Sequence, residues 1–105
     1  MTGEFVKIAR KSDVPAGTVR VFEAAGKRVA LCNVGGEFYA IADLCTHDNG
    51  PLGEGELLDH EIECPRHGAR FDIRTGQVLC LPAVLPVPTY RVEARDEEIW
   101  VAVSR

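Results

Sequence analysis

An all-β fold is what this sequence predicts, and three observations predict it. Short runs rich in β-branched and aromatic residues recur along its 105 residues. Turn-forming pairs built on glycine, proline and aspartate stand between those runs. Only Arg10 to Val14 has any helical character; Ser12 would cap a single turn there, and Pro15 stops it. Many short strands at regular spacing argue for a sandwich or barrel.

The elements follow in order. Glu4 to Ala9, Val19 to Ala24, Arg28 to Val34 and Phe38 to Ala42 read as strands. Pro15-Ala16-Gly17, Gly26-Lys27 and Gly35-Gly36 separate them, and the last pair reads as a hairpin turn. Glu61 to Glu63, Arg70 to Ile73, Gln77 to Leu81, Thr89 to Ala94 and Ile99 to Val103 continue the series. Thr75-Gly76 reads as a tight turn, and Asp96-Glu97 divides the final two strands. Thr46 to Leu58 reads as loop, carrying Gly50, Pro51, Gly53 and Gly55; long loops in small domains are usually functional. Phe5 and Trp100 read as core. Cys32 and Cys80 sit in apolar runs and read as small buried hydrophobes. His60, between Asp59 and Glu61, reads as exposed.

Composition bounds the function. Hydrophobic residues make up 46%, enough for one core, so residues 1–105 read as a single domain. A core this small is marginal and gains from a bound metal centre. Twelve basic and sixteen acidic residues give a formal charge of -4, which argues against nucleic-acid binding. That balance suits a soluble carrier meeting a basic partner surface. The first ten residues lack the shape of a signal peptide. The longest apolar stretch, Val78 to Val87, is broken by Pro82 and Pro86 and is too short to span a bilayer. The expectation is a cytoplasmic, unanchored monomer. In a reducing compartment, four cysteines point to metal or catalysis before disulfides. No Ser-His-Asp set, phosphate loop or paired carboxylates mark a substrate site.

Two ligand pairs stand out, Cys45-Thr46-His47 and Cys64-Pro65-Arg66-His67, with sixteen residues between them. Each sets one thiolate and one imidazole at a loop. Two Cys and two His suit tetrahedral zinc, but zinc modules usually pair like ligands, and here each pair is mixed. A mixed pair on each loop suits a binuclear centre, with both cysteines on one iron and both histidines on the other.

With Gly50-Pro51-Leu52 after the first pair and Gly68 after the second, the pattern resembles the Rieske motif. The resemblance runs on through Phe71-Asp72 and Thr75-Gly76 to Pro82-Ala83 and covers nearly the whole chain. It is similar to the small Rieske ferredoxins of bacterial aromatic-ring dioxygenase systems. The resemblance implies an all-β Rieske iron–sulfur fold with three antiparallel sheets in the base and a cluster-binding subdomain over about residues 43–82. It implies one [2Fe–2S] cluster per chain, ligated by Cys45, His47, Cys64 and His67. Gly50, Pro51, Leu52, Pro65, Gly68 and Pro82 would line it; Pro82 would cover it from a third loop, and the glycines would let backbone N–H groups approach the sulfides. Neutral imidazoles in place of two thiolates make the centre less negative and ease reduction. The implied function is one-electron transfer from a flavin-dependent reductase to a terminal non-haem iron oxygenase, without catalysis by the chain itself. The alternative is an accessory Rieske protein, such as a nitrite-reductase small-subunit-like or iron–sulfur-assembly-linked one.

Departures from the membrane-bound respiratory Rieske proteins sharpen this. Where those carry a loop disulfide, this chain has Gly50 and Arg66. Where they carry a serine and a tyrosine near the cluster sulfurs, it has Ala69 and Phe71, whose side chains donate no hydrogen bond. Without those bonds the reduced state is less stabilised, and a potential of around -150 mV is expected. Six acids lie between Asp48 and Glu63, and Arg66, Arg70 and Arg74 follow. Most read as ordinary surface charge; some could form a mixed-charge docking surface around the histidines.

Overall fold

The computed structural model describes residues 4–46, 50–66, 68–81 and 83–103. Its corners are set by local backbone chemistry. Gly35 and Gly36 both take positive φ, 60° and 95°, and turn β3 (Lys27–Val34) back as β4 (Glu37–Ala42). The preceding hairpin turns on Ala25 and Gly26, both also at positive φ, so Lys27 begins β3 instead of belonging to the turn. That hairpin pairs β2 (Val19–Ala24) with β3 along their whole length.

The remaining strands are β1 (Glu4–Arg10), β5 (Glu56–Leu58), β6 (Glu61–Glu63), β7 (Arg70–Asp72), β8 (Val78–Cys80), β9 (Thr89–Arg95) and β10 (Glu98–Val103). All described pairings are antiparallel. A six-stranded sheet runs β1-β10-β9-β4-β3-β2, and a four-stranded sheet runs β5-β6-β7-β8. The all-β expectation holds. The three-sheet base does not: one short ladder, Ala40 with Tyr90 and Ile41 with Thr89, joins β4 to β9 and makes the base continuous.

Two local readings change. The turn after β1 is a 3-10 turn over Lys11–Asp13, and the Asp13 carboxylate, not Ser12, accepts the Arg10 N–H at 2.9 Å. Within the stretch read as loop, Glu56–Leu58 is a strand. Its sequence, Glu-Leu-Leu, has no β-branched or aromatic residue; pairing of Glu56 with Glu63 and Leu57 with Ile62 overrides that. Two acids opposite each other are costly, and Arg70, 3.9 Å from both Glu61 and Glu63, offsets the charge on β6.

β3 explains why there are two cores. Five consecutive residues, Val29 to Asn33, are buried, so both strand faces pack. Val29 and Leu31 enter a base core with Val14, Ile99 and Val101. Ala30 and Cys32 point the other way, into a core shared with Cys45, Leu52, Ile62, Cys64 and Phe71. The second core seats the four-stranded sheet and its loops on the base. His60, on the β5–β6 turn, adds to the seam: it is half-buried, edge-on to Tyr39 at 5.6 Å, instead of exposed. Phe5 and Trp100 are half-buried too, because they lie under Arg91 and Arg95 and not in either core.

Candidate metal centre

The two cysteine loops share one hydrogen-bond plan. The Cys45 N–H donates to the Gly50 carbonyl at 2.8 Å, and the Cys64 N–H donates to the Ala69 carbonyl at 2.7 Å. Each bond spans five residues and closes a loop headed by a cysteine. Both side chains are buried, 0% and 1% exposed, in the same apolar core. Gly50 is buried and supplies a carbonyl to its loop. Gly68 sits at φ 79°, which favours glycine, and its N–H donates to the Cys64 carbonyl at 3.1 Å. Leu52 is fully buried, while Pro51 and Pro65 lie at the surface with Arg66. His47, His67 and Pro82 lie outside the described residues, so the structure bears on the two cysteines of the set.

The donor chemistry fits an iron–sulfur centre. Two thiols at the heads of matched loops enter a dry core beside Ala69 and Phe71, which bring no competing polar side chain. Cys32 lies in that core as well, on β3, and burial pushes its thiol up to about 12. It is therefore a packed neutral thiol, as the sequence reading has it. Cys80 departs from that reading. It is exposed, since β8 is the outer strand of its sheet.

A third loop lies against the first. The Thr46 hydroxyl donates to the Leu85 carbonyl at 2.6 Å, and the Val87 N–H donates to the Gly76 carbonyl at 2.9 Å. Gly76 is obligatory here: at φ 82°, a Cβ would sit 2.1 Å from the Val87 oxygen. Ala83 and Val87 are buried, but Leu81, Val84 and Leu85 are 73%, 75% and 61% exposed. No residue from Leu81 to Pro88 is charged. Arg74 is paired with Asp72 at 2.9 Å, and that guanidinium holds the Asp72 carboxyl below its usual range. Arg70 stands between Glu61 and Glu63. Arg70 and Arg74 are thus engaged with nearby acids.

Sequence reasoning missed Asp43. Its carboxylate is buried two residues before Cys45 and accepts the N–H groups of Leu52 and Gly53 at 2.8 and 2.6 Å. Arg28 reaches its other oxygen through Nε and Nη2, at 3.0 and 2.7 Å. The available signal was an acid inside the apolar run Ala40 to Cys45.

The comparisons with known proteins agree on one family. A family profile described as Rieske [2Fe-2S] domain matches residues 4–91. The 3-phenylpropionate/cinnamic acid dioxygenase ferredoxin subunit of Escherichia coli strain K12 is 45% identical over 91 residues, 86% of this chain and 85% of the relative. The ferredoxin of carbazole 1,9a-dioxygenase from Nocardioides aromaticivorans IC177 superposes with a TM-score of 0.92 at 38% identity, covering 95% of this chain and 98% of that one. A chain from the complex of reduced oxygenase and oxidized ferredoxin in carbazole 1,9a-dioxygenase superposes with a TM-score of 0.88 at 37% identity, covering 93% and 92%. No helix among the described residues is long and apolar enough to cross a membrane.

Proposed function

This chain belongs to the Rieske [2Fe-2S] domain family, and from that membership we propose a one-electron carrier whose cluster is held by Cys45, His47, Cys64 and His67. When bound, such a cluster takes up and returns one electron at a time. The observation that carries the ligand assignment is the pair of buried cysteines heading two loops of the same hydrogen-bonded plan. The cluster-binding subdomain spans about residues 43–82, from Asp43 to the third loop. Gly50, Pro51, Leu52, Pro65, Gly68 and Pro82 surround the cluster within it. Burial of Ala69 and Phe71 beside the cysteines supports a low potential, around -150 mV, because neither side chain offers a donor to the cluster sulfurs.

The donor is a flavin-dependent reductase and the acceptor a terminal ring-hydroxylating oxygenase. The acceptor reading rests on the solved oxygenase–ferredoxin complex and on the ferredoxin subunits that this chain is similar to. The uncharged rim of Leu81, Val84 and Leu85 is where the acceptor docks, an apolar surface more than the mixed-charge one its acids and arginines first suggest. Burying that rim against a partner excludes water from the path the electron takes. The carrier works as a monomer in the reducing cytoplasm, where cysteines serve metal binding before disulfides.

Anaerobic mixing tests this. The reduced protein should be reoxidised one electron per chain by the oxygenase component of an aromatic-ring-hydroxylating system, and re-reduced by its flavin-dependent reductase. A colourless zinc protein, or a cluster that neither component reduces or reoxidises, would overturn the reading.

A further inference from the structure

Asp43 is the one buried carboxylate among the described residues, and its geometry ties three parts of the molecule together. It continues the β3–β4 ladder one step past Val29 with Ala42: its N–H donates to the Arg28 carbonyl at 3.1 Å. Oδ1 then takes both N–H groups of Leu52-Gly53, and Oδ2 takes the Arg28 fork. Four donors satisfy one carboxylate, and each class of donor has its own oxygen. Gly53 is fitted to this arrangement, since a Cβ there would lie 2.3 Å from Val21 Cγ2 and 3.1 Å from Asp43 Oδ1. The first cysteine loop is therefore closed twice: near its head by Cys45 N–H to Gly50, and at its exit by Asp43 to Leu52 and Gly53. Arg28 is different in kind. Its side chain is 59% exposed while that of Asp43 is 0% exposed.

We infer that Asp43 is a positioning residue for the first cluster loop, and that Arg28 is its surface-exposed charge partner, the two together fixing the loop and balancing the charge beside the cluster. This inference rests on the cluster assignment above, and it adds a residue pair to the surroundings of the first ligand loop. The chemistry is that of a half-buried ion pair: removing Arg28 leaves the Asp43 charge buried without its counter-charge, whereas removing Asp43 leaves a guanidinium that water still solvates. A negative charge beside the centre opposes an incoming electron, and a positive one favours it. Loss of Asp43 and loss of Arg28 must therefore move the reduction equilibrium in opposite directions. A merely structural role would move both the same way, through a loosened loop.

The test uses the holoprotein carrying Asp43→Asn, Arg28→Gln or both. Asparagine offers one oxygen; whichever donor pair takes it, the other pair meets an NH2 group. Asp43→Asn should favour the reduced state about tenfold, 59 mV for one electron. Arg28→Gln should disfavour it by a smaller factor, because the guanidinium is partly screened by solvent. The double variant should return close to the parent. In parallel, Leu52 and Gly53 amides should exchange with solvent at least tenfold faster in Asp43→Asn than in the parent. Shifts of the same sign in both single variants, or unchanged exchange at Leu52 and Gly53, would overturn the inference. Should the parent hold no [2Fe–2S] cluster, the proposed function fails, while the exchange measurement still decides whether Asp43 holds the loop.

Discussion

Replacing Leu81, Val84 and Leu85 together by serine tests the apolar rim. Full burial of a Val or Leu side chain is worth about 2 kcal/mol. These three are 73%, 75% and 61% exposed, so roughly 1.4 kcal/mol of that remains unclaimed at each. A docked partner that covers half of the remainder gains about 2 kcal/mol in all, a factor of roughly 30 in dissociation constant. Folding claims the remaining roughly 0.6 kcal/mol at each, so stability should fall by no more than about 2 kcal/mol for the three together, which a urea melt reads separately. Leu85→Ser also keeps the backbone carbonyl that Thr46 uses. The assay is stopped-flow oxidation of the reduced protein by the oxygenase component, with concentration varied at low and high salt. Half-saturation should rise by about 30-fold with little salt dependence in the parent. Unchanged half-saturation in the triple variant, or a steep fall of the parent rate with salt, would refute the apolar rim and return the dock to its charges.

Four further outcomes follow from the packing. Cys80 should alkylate rapidly in the native protein while Cys32 stays protected, as read by mass spectrometry after digestion. Because the Cys32 thiol is raised to about 12, the native state keeps a proton that the unfolded chain releases above roughly pH 8.5. Stability should therefore fall as pH rises from there towards 12, and Cys32→Ala should flatten that fall in denaturant melts. Asp72 has the opposite sign: its lowered carboxyl pKa stabilises the fold above the unfolded value near 4 and is lost as pH falls through the folded one, so Asp72→Asn should destabilise at neutral pH and converge with the parent in acid. Gly76→Ala should cost at least about 2 kcal/mol in urea melts, since it adds left-handed strain and a backbone collision with Val87.

How far the sequence could be read depends on which physics acts locally. Alternation and turn chemistry act within a few residues, so nine strands are legible to within a residue or two. The tenth, Glu56–Leu58, is not, because only its partner Glu61–Glu63 makes it a strand. The six-stranded base was missed for the same reason: two residue pairs between β4 and β9 decide it, and they lie far apart in sequence. Cysteine burial shows the limit of counting apolar neighbours. Cys32 lies on a strand packed on both faces, whereas Cys80 has similar neighbours on an outer strand. In the candidate centre, ligand types and spacing are visible as letters. Asp43 is not, because an acid inside an apolar run acquires meaning only when Leu52, Gly53 and Arg28 arrive around it.

The central claim is that Cys45 and Cys64, with His47 and His67, hold a low-potential centre that carries one electron. An EPR-monitored redox titration of the purified protein at neutral pH tests it most directly. A single one-electron wave near roughly -150 mV, with the reduced [2Fe–2S] signal rising along it, is the expected result. A clearly positive midpoint, or a protein that gives no reduced-state signal and holds zinc instead, would contradict the account.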